Sequence, residues 1–186
     1  MLRAMSAVVR CLLLATAAIV GGTALAQTQT RVPAGAIGKD AAAPALSRPA
    51  VDGRVQALGA ELFAAVVKDD PALAEQTFFP RDAFLQVKAM QNPGRYWDRL
   101  HARFAHDIHA LHAATPGLAH ASFDRLELVK RGGLVQPGQE GNRLPYWASR
   151  HSKLHFRVGG QPKSFEVRVL ISWQDRWYVI HLSEFH

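Results

Sequence analysis

The chain of 186 residues holds one cysteine, Cys11, and three methionines. A lone thiol excludes an intrachain disulfide framework and a cysteine-rich metal site, so stability has to come from a packed core. Long apolar runs are scarce as well. Residues 8–25 carry no charge except Arg10, and no later stretch approaches the roughly 18 consecutive apolar residues of a spanning helix. Nucleophile elbows, phosphate-binding loops and dinucleotide fingerprints are missing; Gly132-Gly133 and Gly159-Gly160 sit where turns are needed. No Ser-His-Asp order stands out, which leaves hydrolase and kinase chemistry without support. Internal repeats are lacking too. What remains, 48% hydrophobic and 20% charged residues, fits one globular domain.

Residues 1–26 read as a secretory signal. Arg3 and Arg10 form a basic start, residues 11–20 an apolar stretch, Gly21-Gly22 a break, and Ala24-Leu25-Ala26 a small-x-small cleavage pattern before Gln27. An uncleaved anchor helix is the alternative. The residues ahead of Cys11, Val8-Val9-Arg10, lack the pattern of a lipid-modified cysteine. Cleavage near Ala26 yields an exported chain, periplasmic or secreted, with no cysteine and no stable membrane anchor. Of the 22 basic residues, Arg3 and Arg10 leave with the signal, and 20 against 15 acidic residues give a net charge of +5. Such a surface suits an acidic polymer or an anionic membrane face. The basic residues are scattered, without the spacing of a nucleic-acid-binding motif, and no nucleic-acid partner is expected.

Residues 27–50, rich in Ala, Pro, Gly, Thr and Gln, read as a flexible linker because they bury too little apolar surface to offset their ordering entropy. The domain is expected over residues 51–186. Val51, Val55, Leu58, Leu62 and Val66 keep the three-and-four spacing of a first helix. Asp70-Pro71 is a cap with proline at the first helical position and opens a short helix to Ala74. Pro80 stops it. Asp82 then caps a third helix carrying Phe84, Leu85 and Val87, and Asn92-Pro93 precedes a longer one to about His112, with Trp97, Leu100, Phe104, Ile108 and Leu111 on one stripe.

Beyond Thr115-Pro116-Gly117 the period changes to two. Strands are expected over residues 121–130 and 146–158, separated by a long loop over 134–145. A turn at residues 159–162 leads to a third strand with Phe165, Val167, Val169, Ile171 and Trp173, and Asp175-Arg176 turns into a last strand over 177–182. Helices first and an antiparallel sheet second make the class α+β.

This order of elements, and the ending Trp173-Gln174-Asp175-Arg176-Trp177-Tyr178, resembles the nuclear-transport-factor-2-like superfamily, which includes ketosteroid-isomerase-like and polyketide-cyclase-like proteins. The similarity covers about residues 51–186. It implies N-terminal helices packed in the concave face of a curved, cone-shaped, cystatin-like sheet, with a cavity at the wide end and dimerisation through the outer face. The long loop over 132–145 departs from the tidy sheet of that family. Members are enzymes, ligand binders or scaffolds, so fold alone leaves function open.

Strand parity points to a lining for that cavity. Pairing Phe156 with Phe165 sets Leu154 against Val167, Ser152 against Val169 and Arg150 against Ile171; pairing Trp173 with Tyr178 aligns the last hairpin. Arg150, Ser152, Tyr146, Trp173 and Tyr178 then face inward, with Trp97 from the fourth helix as a further aromatic wall, and Asp124 shares their parity. These are the candidate ligand-binding residues. An inward Arg150 should seek a carboxylate, and Asp124 is the candidate, because an unpaired buried charge is costly. Asp124 with Tyr146 or Tyr178 is the candidate catalytic set of an isomerase- or dehydratase-like enzyme.

The outer face would carry His151, Leu170 and His181 in one row, His155 opposite Glu166, and Arg168, Trp177 and Val179 nearby, as a partner or homodimer surface does. The helix histidines His101, His106, His109 and His112 do not converge, and neither a metal nor another cofactor is expected. The leading reading is a non-catalytic exported domain that binds a small apolar or anionic ligand, or an envelope protein. The enzyme and the homodimeric scaffold are the alternatives.

Overall fold

The computed structural model describes residues 46–129 and 132–183. The expected signal, its cleavage point and most of the expected linker lie outside the described residues. Residues 46–50, placed in that linker by composition, are packed on the sheet. Trp147 donates its indole N–H to the Leu46 carbonyl at 2.8 Å, and Trp177 to the Pro49 carbonyl at 3.3 Å. The Arg48 guanidinium lies 5.6 Å from the Trp177 ring centre. The packed domain therefore includes Leu46.

Helix α1 spans Gly53–Lys68, and the Asp52 side chain caps it by accepting from the Arg54 backbone N–H at 2.9 Å. It ends at Asp69, whose φ of 55° is left-handed and whose N–H returns to the Ala65 and Val66 carbonyls. Asp70 and Pro71 then open a 3₁₀ helix over Pro71–Thr77, the Asp70 carboxylate accepting from the Ala72 N–H. Helix α2 is Arg81–Val87 and α3 is Pro93–Ala114. Proline stands at the first turn of α3 as expected, but Asn92, left-handed at φ 51°, makes no capping hydrogen bond, and Asp82 lies inside the first turn of α2 rather than at its cap; Leu100, Phe104 and Ile108 form the buried stripe of α3. Among the described residues no helix is long and apolar enough to cross a membrane.

The second half is a five-stranded antiparallel sheet, so the class is α+β. Its strands are β1 Ala121–Glu127, β2 Gly132–Val135, β3 Tyr146–Val158, β4 Gln161–Trp173 and β5 Arg176–His181, and the order β1-β3-β4-β5 is completed by β2 on β3. The 13-residue β3 pairs with β2 through its first four residues and with β1 from Lys153 onward. The Phe78–Val179 bridge covers part of β5, Phe79 donating its N–H to the Val179 carbonyl at 3.0 Å.

Both hairpins are tighter than expected. Gly159 and Gly160, at φ 57° and 80°, make a two-residue turn in which both positions need positive φ. Gln161 therefore already pairs with Val158, and each β3 residue meets a β4 residue two positions earlier than expected: Leu154 faces Phe165, Ser152 faces Val167 and Arg150 faces Val169. Gln174 and Asp175 make the second such turn, so Trp173 faces Arg176 and Ile171 faces Tyr178. A shift of two keeps strand parity. Parity does change in β1, where a bulge between Phe123 and Arg125 leaves Asp124 exposed.

Helix α1 is held to β1 by polar and steric fit. The Gln56 amide donates to the Leu126 carbonyl and accepts from the Leu126 N–H, both at 3.0 Å, in the manner of a strand partner. One turn on, Gly59 has no side chain where a Cβ would stand 2.6 Å from the Leu126 Cβ and 3.0 Å from the Phe123 ring. Phe63 then meets Phe123 and Phe156 at 6.0 and 5.4 Å between ring centres. Gly59→Ala should therefore cost about 1–3 kcal/mol by overpacking, despite the better helix propensity of alanine. A lowered urea midpoint would register it. Gly53→Ala, whose Cβ would meet nothing within 4 Å, is the control and should change stability by less than about 0.5 kcal/mol.

Candidate functional site

The expected single lining is divided by the structure among three places. Tyr146 and Arg150 reach a hollow of about 80 Å³ between the sheet, α2 and α3. Trp97 and Tyr178 line a different cleft, of about 280 Å³, with Phe78, Arg81 and Arg176. There the Trp97 indole donates to the Phe79 carbonyl at 2.7 Å and stacks on His101 with ring centres 4.8 Å apart. Tyr178 and Trp173 both meet the Phe79 ring edge-on. Ser152 lines neither. It is fully buried, its hydroxyl 3.0 Å from that of Ser149, which donates to the Val129 carbonyl at 2.7 Å. A buried hydroxyl pair of this kind satisfies itself within the core.

Asp124 is corrected most. The β1 bulge places it in solvent, where its carboxylate pairs with the adjacent Arg125 at 3.1 Å, and it is not among the residues that line the hollow. Arg150 does find a carboxylate, but it is that of Glu140, from the loop between β2 and β3. The expected partner surface is also corrected in part. Leu170, Trp177 and Val179 are buried, because Arg48 and Pro49 cover Trp177 and the Phe78–Phe79 segment lies along Val179. His151, His155 and Arg168 are partly exposed and engaged by carboxylates: His151 is hydrogen-bonded to Glu166, with which Arg168 forms an ion pair, and His155 is hydrogen-bonded to Glu127 rather than Glu166. His181 lines the hollow instead of the outer face.

The hollow combines an apolar wall with a polar end. Phe84, Tyr96, Leu100, Val169, Ile171 and Ile180 form the wall; Lys88, Glu140, Tyr146, Arg150 and His181 form the end. One oxygen of the Glu140 carboxylate accepts from the Tyr146 hydroxyl at 2.8 Å and the other from Arg150. The Lys88 ammonium donates to the Glu140 main-chain carbonyl at 3.2 Å and to the Tyr146 hydroxyl at 3.4 Å. A long-range bridge explains the convergence. Lys88 is the residue that ends α2 and bridges to Asn142, which draws the loop against the helix, while Tyr146 and Arg150 stand four apart on β3.

Burial shifts the titration of this group. It pushes the Tyr146 hydroxyl well above its ordinary range, with the Glu140 carboxylate adding to the rise, so the phenol stays a neutral donor at physiological pH. Asn142 is buried in the same loop. Its amide is the main influence opposing that rise, larger than the Glu140 hydrogen-bond contribution, although neither its oxygen nor its nitrogen makes a hydrogen bond of good geometry. Lys88 is lowered by burial first, with Glu140 opposing and Arg150 adding to the drop. His181 is lowered by burial, then by Lys88 and Arg150, against Asp107 and Glu140. Several shifted groups in one hollow mark a place where binding or chemistry is concentrated.

Lys88 and Glu140 carry no motif signal; they come together through the Lys88–Asn142 bridge and the backbone bonds Ala89–Gly141 and Arg143–Val87 beside it. No known family model, curated protein or solved structure matches this chain, so the site is read from its own chemistry.

His181 supplies a pH test. Because its folded-state pKa is lowered, unfolding takes up a proton in acid; its contribution is whole above about pH 6.5 and is lost as pH falls below that. The wild-type urea midpoint should therefore drop further between about pH 7.5 and about pH 5 than that of His181→Gln. Equal drops would remove His181 as the source.

Proposed function

We propose that this chain is an exported, non-catalytic domain of the nuclear-transport-factor-2-like kind that binds a small anion bearing a short apolar group in the hollow beside β3. The helix-then-sheet order and the hairpin from Trp173 to Trp177 support the family reading, and the basic, apolar and small-residue order of residues 1–26 supports export. One observation carries the binding reading: Arg150 and the Tyr146 hydroxyl hold the Glu140 carboxylate, a second cation, Lys88, stands on that hydroxyl and on the Glu140 main-chain carbonyl, and the group faces an apolar wall.

Two positive charges against one negative leave an excess in a partly desolvated place, where attraction for an anion is stronger than in water. The hollow sets the size. At about 80 Å³ it is far below the 300–1,000 Å³ of a drug-sized ligand site and suits a ligand on the scale of a short-chain acid. Proton abstraction has less support, since Asp124 is outside and both Glu140 oxygens already accept hydrogen bonds.

Urea unfolding of the wild type with propionate, methylphosphonate or methanesulfonate tests this reading. At about 100 times its dissociation constant, a bound anion should stabilise the fold by about 2.7 kcal/mol. Arg150→Met and Lys88→Met should each weaken the effect. No stabilisation by any of these anions, or one that survives in both variants unchanged, would overturn the reading.

A further inference from the structure

The geometry points to Glu140 as a resident carboxylate that fills the anion position of the hollow, and to the ligand as a monocarboxylate that displaces it. This rests on the anion-binding reading and goes further, naming the ligand class and the competitor that controls access. Each Glu140 oxygen takes one donor, Tyr146 on one side and Arg150 on the other. That is how a planar two-oxygen group is read. A tetrahedral anion would bring additional oxygens, and one of them would have to turn toward the wall formed by Leu100, Val169 and Ile171.

Displacement asks little of the chain. The Glu140 side chain is 44% exposed and its Arg150 partner 35% exposed, and ion pairs so open to water are held weakly. The backbone on either side is anchored independently of the carboxylate: Gln139 donates its N–H to the Gln136 carbonyl, Ala89 to the Gly141 carbonyl at 2.7 Å, and Arg143 to the Val87 carbonyl at 2.8 Å. Rotation of the Glu140 side chain into solvent therefore opens the position while the loop stays in place. The donors it leaves behind, Arg150 and the Tyr146 hydroxyl, have no other carboxylate among the residues lining the hollow, while Lys88 keeps its bond to the Glu140 main-chain carbonyl beside them. An incoming carboxylate restores their hydrogen bonds and lays its short apolar chain on the wall.

Isothermal titration with propionate tests this on the wild type, Glu140→Ala and Arg150→Met. Removing an internal competitor should tighten apparent affinity by the inverse of the open fraction, about tenfold or more for Glu140→Ala, with Arg150→Met abolishing binding. Glu140→Gln, which keeps the size of the side chain and its hydrogen bond from Tyr146 but loses the charge, guards against a misfolded alanine variant and should fall between. Arg150-dependent binding by the wild type with no tightening in either Glu140 variant would overturn the inference and leave the anion-binding reading standing. Binding only after Glu140 is replaced would overturn displacement, since the glutamate would then keep the position permanently closed. No binding by any form would overturn the anion-binding reading itself.

Discussion

A two-residue turn at Gly159 and Gly160 sets the ladder between β3 and β4, and through it the position of every polar side chain that β3 sends toward the hollow. The turn has positive φ at both central residues, a twist that suits antiparallel strands joined this tightly, and glycine adopts it without a steric penalty. Arg150 then faces Val169 and Ala148 faces Ile171, so the guanidinium stands beside the apolar wall. A one-residue slip would exchange the two faces of β3 and remove Arg150 from the hollow.

The electrostatics of the site follow from that placement. Arg150, a third of its side chain open to water, stands beside a wall of Leu100, Val169 and Ile171 and draws an anionic neighbour. Glu140 supplies it from a loop that the Lys88–Asn142 bridge holds against the end of α2. Lys88 arrives with the same bridge, which makes the cluster positive by one charge and gives the proposed ligand its sign. Tyr146 remains protonated and thus a donor, a role suited to holding an anion more than to removing a proton.

Much of the first half was legible in the chain because its signals are local. Asp52, Asp70 and the proline of α3 act within a turn of where they stand, and the stripe of Leu100, Phe104 and Ile108 appears in the structure as the buried face. Four of the five strands and the parity of β3 were legible for the same reason; β2, Gly132–Val135, lies in the stretch read as turn and loop. The candidate site was legible only in part. Tyr146 and Arg150 come together, but Asp124 is turned out by a bulge whose extra residue has no clear mark in the sequence. Leu170, Trp177 and Val179 read as outward by alternation, yet both faces of that hairpin are covered, one contribution coming from residues 46–50, whose composition resembles a linker.

By itself, then, the sequence determined the run of helices before an antiparallel sheet and the inward parity of Arg150, because caps, periodicity and glycine turns act over a few residues. Tertiary structure alone decided which carboxylate meets that arginine. Glu140 and Lys88 lie 52 positions apart and are joined by bridging of a loop to a helix end, a long-range pairing that local patterns do not encode.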